Sequence, residues 1–155
     1  MRALLKPILF CTLYLGLAPA LAAEEPKADP AAQAQSAPVV VEAYYRIRWG
    51  SDREFVALFE KNHLPILEEA MARGLVRDIK IDLPYTHMVG GPRWDFRVRT
   101  TYRDAAAAML TDPAWIAVFN DMEARLKKAN PKFDEEETRR FSLLEEHWDV
   151  VLVSQ

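Results

Sequence analysis

The stretch VVVEAYYRIRW at residues 39–49 decides the fold of this chain. Its side chains alternate in polarity, which predicts a β-strand with one apolar face and one charged face. Similar alternation at residues 75–83 and 94–102 predicts two more strands, and residues 150–153 indicate a fourth. In the first strand the apolar face carries Val41, Ala43, Tyr45, Ile47 and Trp49, and the charged face carries Val40, Glu42, Tyr44, Arg46 and Arg48.

The segment after the first strand carries the signals of a helix. Ser51 and Glu54 form a capping-box pattern at its start, and the helix is predicted to run to about Arg73 and to end before Gly74. Pro65 lies inside this helix. Because proline cannot donate a backbone hydrogen bond, we expect a kink one turn earlier.

A second helical region follows the third strand. Asp104 begins a short alanine-rich helix, Asp112 and Pro113 begin a longer one, and residues 133–148 are predicted as a short helix or an ordered loop. The resulting order, βαββαβ, is that of ferredoxin-like folds. We therefore predict an α+β domain whose four-stranded antiparallel sheet has the order 4-1-3-2, with both helices on one face.

The N-terminus has the pattern of a secretory signal peptide. Arg2 and Lys6 precede an apolar run, and Ala20-Leu21-Ala22 supplies small residues for cleavage. An uncleaved anchor is the alternative. We expect a periplasmic or secreted protein with no membrane association after cleavage. The predicted organisation is a signal peptide at residues 1–22, a disordered spacer at 23–38 and a folded domain at 39–155.

Composition excludes several classes of function. The 155-residue chain has a formal net charge of −3, and loss of Arg2 and Lys6 with the signal peptide makes it −5, so nucleic acid is not an expected partner. Cys11 lies in the signal peptide, so the mature chain has no thiol chemistry. Motifs of serine hydrolases, phosphate-binding loops and dinucleotide sites are absent. The histidines lack metal-ligand spacing, and we predict no metal or cofactor.

The charged face of the two central strands indicates a partner. In the predicted antiparallel pairing, Arg46 and Arg48 lie near Asp95, and Glu42 lies near Arg99. Exposed ion pairs contribute only about 0–1 kcal/mol, so stability alone does not explain this face. We expect a second copy of the chain to cover it, giving a homodimer.

Several motifs resemble those of the dimeric α+β barrel superfamily. Tyr45-Arg46-Ile47-Arg48-Trp49-Gly50, Phe55-x-x-Leu58-Phe59, Leu64-Pro65-Ile66, Tyr102-x-Asp104 and Asp112-Pro113-Ala114-Trp115 are similar to NIPSNAP-type domains over about residues 41–120. The spacing of Phe55, His63 and Pro65 also resembles EthD-like and antibiotic-biosynthesis-monooxygenase-like barrels. The resemblance implies a dimeric barrel with a cavity between sheet and helices. It does not fix an activity, because this superfamily contains oxygenases, isomerases, haem enzymes and simple binders.

His63 is the candidate catalytic residue. At the predicted kink it is placed to act as a base, a donor or a metal ligand, or to be a packed helix histidine. The arginines are placed to bind a carboxylate-bearing ligand or to pair with acids on their own face. The candidate ligand-binding residues are Tyr44, Arg46, Arg48, Tyr85, His87, Trp94 and Arg97.

Two functions follow from these residues. The first is an exported homodimer that binds a small, partly apolar or aromatic molecule in the barrel cavity, with His63, Tyr44 and Arg46 orienting it. The second is a cofactor-independent monooxygenase or isomerase in which His63 is the general base and an arginine stabilises the oxyanion.

Overall fold

The computed structural model describes residues 37–86, 89–91 and 93–152. The predicted signal peptide and most of the predicted spacer lie outside these residues. No helix in the described part of the chain has the length and apolar character needed to cross a membrane. The elements are β1 (Val39–Ile47), α1 (Asp52–Asn62), α2 (Leu64–Ala72), β2 (Val76–Asp82), β3 (Phe96–Tyr102), α3 (Ala105–Ala108), α4 (Pro113–Ala129), α5 (Phe133–Ser142) and β4 (Leu144–Leu152).

The four strands form one antiparallel sheet in the order β2-β3-β1-β4. Read from the other edge, this is the predicted order 4-1-3-2, so the predicted α+β ferredoxin-like fold is confirmed. Glu42 lies opposite Arg99 in the register of β1 and β3, also as predicted.

The helix-facing side of the sheet forms the core. Tyr45 and Phe96 from the sheet meet Phe55 and Phe59 from α1, with ring centroids 4.9–6.1 Å apart in the pairs that link sheet to helix. All four side chains are buried. The alternation in the sequence therefore identified the buried side correctly, because successive strand residues point to opposite faces. Trp49 is an exception: it follows the end of β1 and is exposed.

The predicted kink is a complete break between two helices. α1 ends at Asn62, α2 begins at Leu64, and His63 lies between them with its backbone N–H donating to the Phe59 carbonyl. Pro65 occupies the first turn of α2, where its missing N–H costs nothing. Gly74 has φ +74°, the left-handed conformation expected after the helix end.

The capping prediction is correct at two of three helix starts. Asp104 accepts from the Ala107 N–H at 2.9 Å, and Asp112 accepts from the Ala114 N–H at 2.8 Å. Ser51 is the N-cap of α1 but makes no side-chain cap bond. The Glu54 carboxylate instead accepts from Arg139 of α5 at 2.7 and 2.8 Å, so a tertiary ion pair replaces the predicted capping box.

The last strand begins earlier than predicted. β4 starts at Leu144 rather than at residue 150, and α5 occupies much of the segment that the sequence left as a helix or loop. β4 is an edge strand, and its helix-facing residues His147, Asp149 and Val151 are exposed. Because this side is not sealed in the core, polar residues are tolerated there and the alternation disappears from the sequence.

Candidate functional site

A cavity of about 260 Å³ lies between the sheet and the helices. We call it the helix-facing cavity. Its apolar walls are Val41, Ala43, Phe59, Leu67, Val98, Ala108, Leu110 and Phe141. Its polar groups come from Tyr45, His63, Thr100, Tyr102, Arg140, His147 and Asp149. An apolar cavity of about 150 Å³ is enough to hold benzene, so this one has room for a substituted ring.

His63 lies at the wall of this cavity, at the break between α1 and α2. Its ring is partly buried and its centroid lies 5.0 Å from that of Phe59. Burial is the largest cause that lowers the pKa of His63 to about 4, and the nearby positive charge of Arg140 is the second cause. The imidazole is therefore neutral at physiological pH and has two ring nitrogens available for hydrogen bonds.

Two buried phenols face the same space. Burial raises the pKa of Tyr45 and the pKa of Tyr102 to about 12. The Asp149 carboxylate adds to the rise of both pKa values, whereas Arg140 opposes it at Tyr45 and a hydrogen bond from Thr100 opposes it at Tyr102. Both hydroxyls remain protonated at physiological pH and can donate to a ligand.

The cation of the cavity wall is already paired. Arg140 has a side chain that is only 3% exposed, and it donates to Glu137 through two bonds of 3.0 and 2.7 Å. Its guanidinium also lies 4.4 Å from the centre of the Phe141 ring. A bidentate pair of this kind holds the arginine in place and gives its charge a partner.

Two exposed residues of β4, His147 and Asp149, line one side of the cavity. The His147 Nδ1 lies 2.9 Å from the Tyr44 carbonyl oxygen, and since a carbonyl only accepts, this nitrogen carries a proton. The other ring nitrogen, Nε2, lies 3.8 Å from the Asp149 carboxylate. The His147 ring stacks on Tyr45 with centroids 4.3 Å apart. β4 therefore contributes a carboxylate and an aromatic face to the cavity.

Several of the predicted ligand-binding residues lie on the opposite side of the sheet. We call this side the open face; it includes Val40, Glu42, Tyr44 and Arg46 of β1, Arg97 and Arg99 of β3, Asp82 of β2, and Glu146, Trp148, Val150 and Leu152 of β4. Trp94, just before β3, packs edge-on against Tyr44 at 5.9 Å.

The polar groups of the open face pair with one another. The Tyr44 hydroxyl donates to Glu42 at 2.6 Å, and Arg97 donates to Asp82 at 3.1 and 2.8 Å. Arg46 donates to the Arg93 carbonyl at 3.1 Å. The predicted grouping of His63 with Tyr44 and Arg46 is therefore not formed, because adjacent strand residues point to opposite faces and His63 lies on the helix side.

A second cavity of about 390 Å³ lies at the end of the sheet, and two more predicted residues line it. Arg48 and Tyr85 are both exposed there, beside Trp49. Arg93 in its wall is buried and bonded to Asp95 at 2.8 Å, so that cation is satisfied internally. His87 lies outside the described residues. The helix-facing cavity is the better candidate, because it combines buried aromatic walls with convergent titratable groups.

The sequence analysis missed most polar groups of the helix-facing cavity. Tyr45 and Tyr102 were placed on the apolar faces of their strands. Their hydroxyls could have indicated a polar cavity, because a buried tyrosine hydroxyl needs a hydrogen-bond partner. Arg140 was hidden in a highly charged segment, and Asp149 lies in the part of β4 that was not predicted as a strand. Within residues 37–86, 89–91 and 93–152, no three His, Cys, Asp or Glu side chains come together in a way suited to a metal ion.

No protein-family model matches this sequence, and no curated protein matches it either. Similar solved structures include an uncharacterized NIPSNAP domain protein from Burkholderia xenovorans, with 20% identity, coverage of 77% of this chain and 95% of that one, and a TM-score of 0.42. An EthD family protein from Bacillus halodurans has 12% identity, coverage of 77% and 100%, and a TM-score of 0.41. These neighbours carry two of the family names that the sequence motifs resemble.

A third similar structure is a dimeric protein of unknown function with a ferredoxin-like fold from Bacteroides fragilis. It has 13% identity, coverage of 76% of this chain and 96% of that one, and a TM-score of 0.43.

Proposed function

We propose that this protein is an exported homodimer that binds a small, partly apolar or aromatic molecule in the helix-facing cavity. The cavity itself carries the proposal. Apolar side chains such as Phe59, Leu67 and Val98 form its walls, and the hydroxyls of Tyr45 and Tyr102 offer hydrogen bonds inside it. Ligand sites combine these two features, because apolar walls supply affinity and a few polar groups set orientation.

The dimer part of the proposal rests on the open face. Its charged groups are paired within the chain, yet Val150 and Leu152 are each 37% exposed beside Trp148. Trp148 stacks on Tyr44 with centroids 5.4 Å apart. A flat surface of aromatic and aliphatic groups with internally paired charges is suited to packing against a second copy of itself.

Export rests on the pattern of residues 1–22, which lie outside the described part of the chain. Intact-mass measurement of the protein recovered from its own host tests this directly. We expect a chain that has lost about the first 22 residues, and a full-length chain held in the membrane fraction would contradict export.

An enzyme that uses His63 as a general base is the less supported alternative. A neutral imidazole on the cavity wall has the required form, but a pKa of about 4 means that it holds an abstracted proton weakly. The arginines expected to stabilise an oxyanion lie on the open face. Binding without turnover therefore agrees better with this geometry.

Filling the cavity is the test of the binding proposal. Ala108 of α3 lines the cavity and Ala106 of the same helix is exposed, so Ala108→Phe and Ala106→Phe make a matched pair. With phenethyl alcohol as the probe, we expect Ala108→Phe to weaken binding by at least about tenfold and Ala106→Phe to leave it unchanged. Titration calorimetry measures both, and circular dichroism checks the fold. Equal binding by the two variants would contradict the proposal.

A further inference from the structure

We infer that the ligand of the helix-facing cavity is a cation: a protonated amine on a small aromatic or apolar body, with its ammonium group against Asp149. The inference rests on the proposed function, because it names the chemical class of the ligand of that same site.

The charges of the cavity favour this class. The Arg140 guanidinium already has a carboxylate partner, because it donates two hydrogen bonds to Glu137. In the described part of the chain, the basic group paired with Asp149 is the His147 ring at 3.8 Å, which is beyond hydrogen-bond distance and charged only when protonated. The Asp149 carboxylate is therefore the charge in the cavity that a ligand can still neutralise.

Asp149 faces the cavity and not the opposite side of β4. It lies opposite Ala43 in the register with β1, and Ala43 and Asp149 both line the cavity. After burial, the Asp149 charge is the next cause of the raised pKa of Tyr102; it also raises the pKa of Tyr45, where the opposite effect of Arg140 is larger. The field of Asp149 therefore reaches the two phenols deeper in the cavity.

Aromatic rings beside Asp149 suit the same ligand. The exposed His147 ring stacks on the buried Tyr45 ring, and Tyr45 continues into the cluster with Phe59. An ammonium group is attracted to the faces of such rings as well as to a carboxylate. The apolar body of the ligand then extends toward Leu67 and Val98, the apolar walls farther along the cavity.

An anionic ligand fits these groups poorly. A carboxylate in the cavity would meet Asp149 as a like charge, and Arg140 already holds the Glu137 carboxylate as its partner. The arginines that the sequence analysis associated with a carboxylate ligand, Arg46 and Arg97, lie on the open face and are bonded there. The placement of the charges thus favours a cationic ligand over the carboxylate-bearing ligand that the sequence analysis raised as one alternative.

The test compares three probes of nearly equal size and different charge. Phenethylamine is a cation, phenethyl alcohol is neutral and phenylacetate is an anion at about pH 7. Titration calorimetry at low salt measures each with the wild type, with Asp149→Asn and with Asp78→Asn, an exposed carboxylate on β2 that lies outside the cavity. The Asp149 side chain is 55% exposed, so we expect Asp149→Asn to fold normally.

We expect the wild type and Asp78→Asn to bind the amine at least about tenfold more tightly than the alcohol, and Asp149→Asn to bring the two within about threefold. If the wild type binds the alcohol as tightly as the amine, or binds phenylacetate best, the cation inference is wrong while the cavity remains a binding site. An amine preference that survives in Asp149→Asn overturns the role of that carboxylate. If the wild type binds none of the three probes, the cation inference fails together with the proposed function.

Discussion

The two faces of the sheet use polar residues in opposite ways. On the open face, Arg97 donates to Asp82 and the Tyr44 hydroxyl donates to Glu42, so these polar groups are paired within the chain. On the helix-facing side, the cavity of about 260 Å³ is lined by His63, Tyr45 and Asp149. The charged residues that alternate in the sequence therefore lie on the face where they pair with one another. The polar groups available to a ligand are fewer, and they lie on the helix-facing side.

This difference between the two faces shows when an exposed charged residue indicates a ligand site. Arginines and acids that alternate on adjacent strands have partners at hand, because cross-strand neighbours lie side by side. In the described part of the chain, the Asp149 carboxylate on the edge strand has the His147 ring at 3.8 Å as its basic neighbour and no arginine or lysine partner, and it is the better indicator of a site. The predictions below separate the roles of the two faces.

The largest expected effect is on assembly. Val150 and Val151 are adjacent on β4 and similarly exposed, at 37% and 43%, but they lie on the open face and the helix-facing side respectively. We expect Val150→Arg to break the dimer, since each copy would have to bury a bulky guanidinium in place of an apolar contact, at a cost of about 3–5 kcal/mol. Val151→Arg should leave a dimer. Light scattering at micromolar concentration reports both masses, and a dimer that survives Val150→Arg would place the interface elsewhere.

An intermediate effect is expected from the titration of His63 on the helix-facing side. Its pKa is about 4 in the folded protein, against an ordinary value of 6.5, so the unfolded chain binds the proton more tightly. Stability is therefore full above about pH 6.5 and falls as the pH decreases toward 4. Between about pH 7 and pH 5, we expect the wild type to lose about 2 kcal/mol more than His63→Gln.

Urea denaturation at the two pH values measures this difference. Carboxylates with lowered pKa values, such as Glu136, titrate below this window and act equally in both proteins. Parallel losses in the wild type and His63→Gln would show that His63 is not held neutral by burial.

The smallest effect is expected on the free energy of unfolding, from a substitution on the open face of β2. Lys80 is exposed on the open face and its ammonium lies 3.5 Å from Asp78, whereas Ile81 packs partly buried against the core. We expect Lys80→Ala to change the free energy of unfolding by less than about 0.5 kcal/mol. Ile81→Ala should cost about 1–3 kcal/mol. Urea denaturation compares them, and equal losses would contradict the assignment of β2 to a buried and an open side.

The sequence predicted the fold well because the fold depends on local signals. The alternation of polar and apolar residues predicted the buried side of β1 and β3. Pro65 predicted the interruption of the first helical region, and Gly74 predicted its end. β4 was missed at its start because an edge strand with an uncovered side keeps polar residues such as His147 and Asp149 in helix-facing positions. The predicted capping box of Ser51 and Glu54 does not form, because the Glu54 carboxylate pairs with Arg139, which is 85 residues away in the chain.

The candidate site was predicted only in part, for a related reason. His63 was identified because a proline nearby disturbs the helix that carries it. Arg140 and Asp149 line the same cavity only through the packing of α5 and β4, which no local pattern reveals. The grouping with Tyr44 and Arg46 was wrong because the strand period places them on the side away from His63.

Methyl resonances provide the most direct test of which face holds the site. Leu67, Val98 and Leu110 line the helix-facing cavity, whereas Val40, Val150 and Leu152 lie on the open face. Titration of methyl-labelled protein with phenethyl alcohol should shift the first set and leave the second set in place. Shifts confined to the open-face methyl groups, or no shift in either set, would contradict a ligand site between the sheet and the helices.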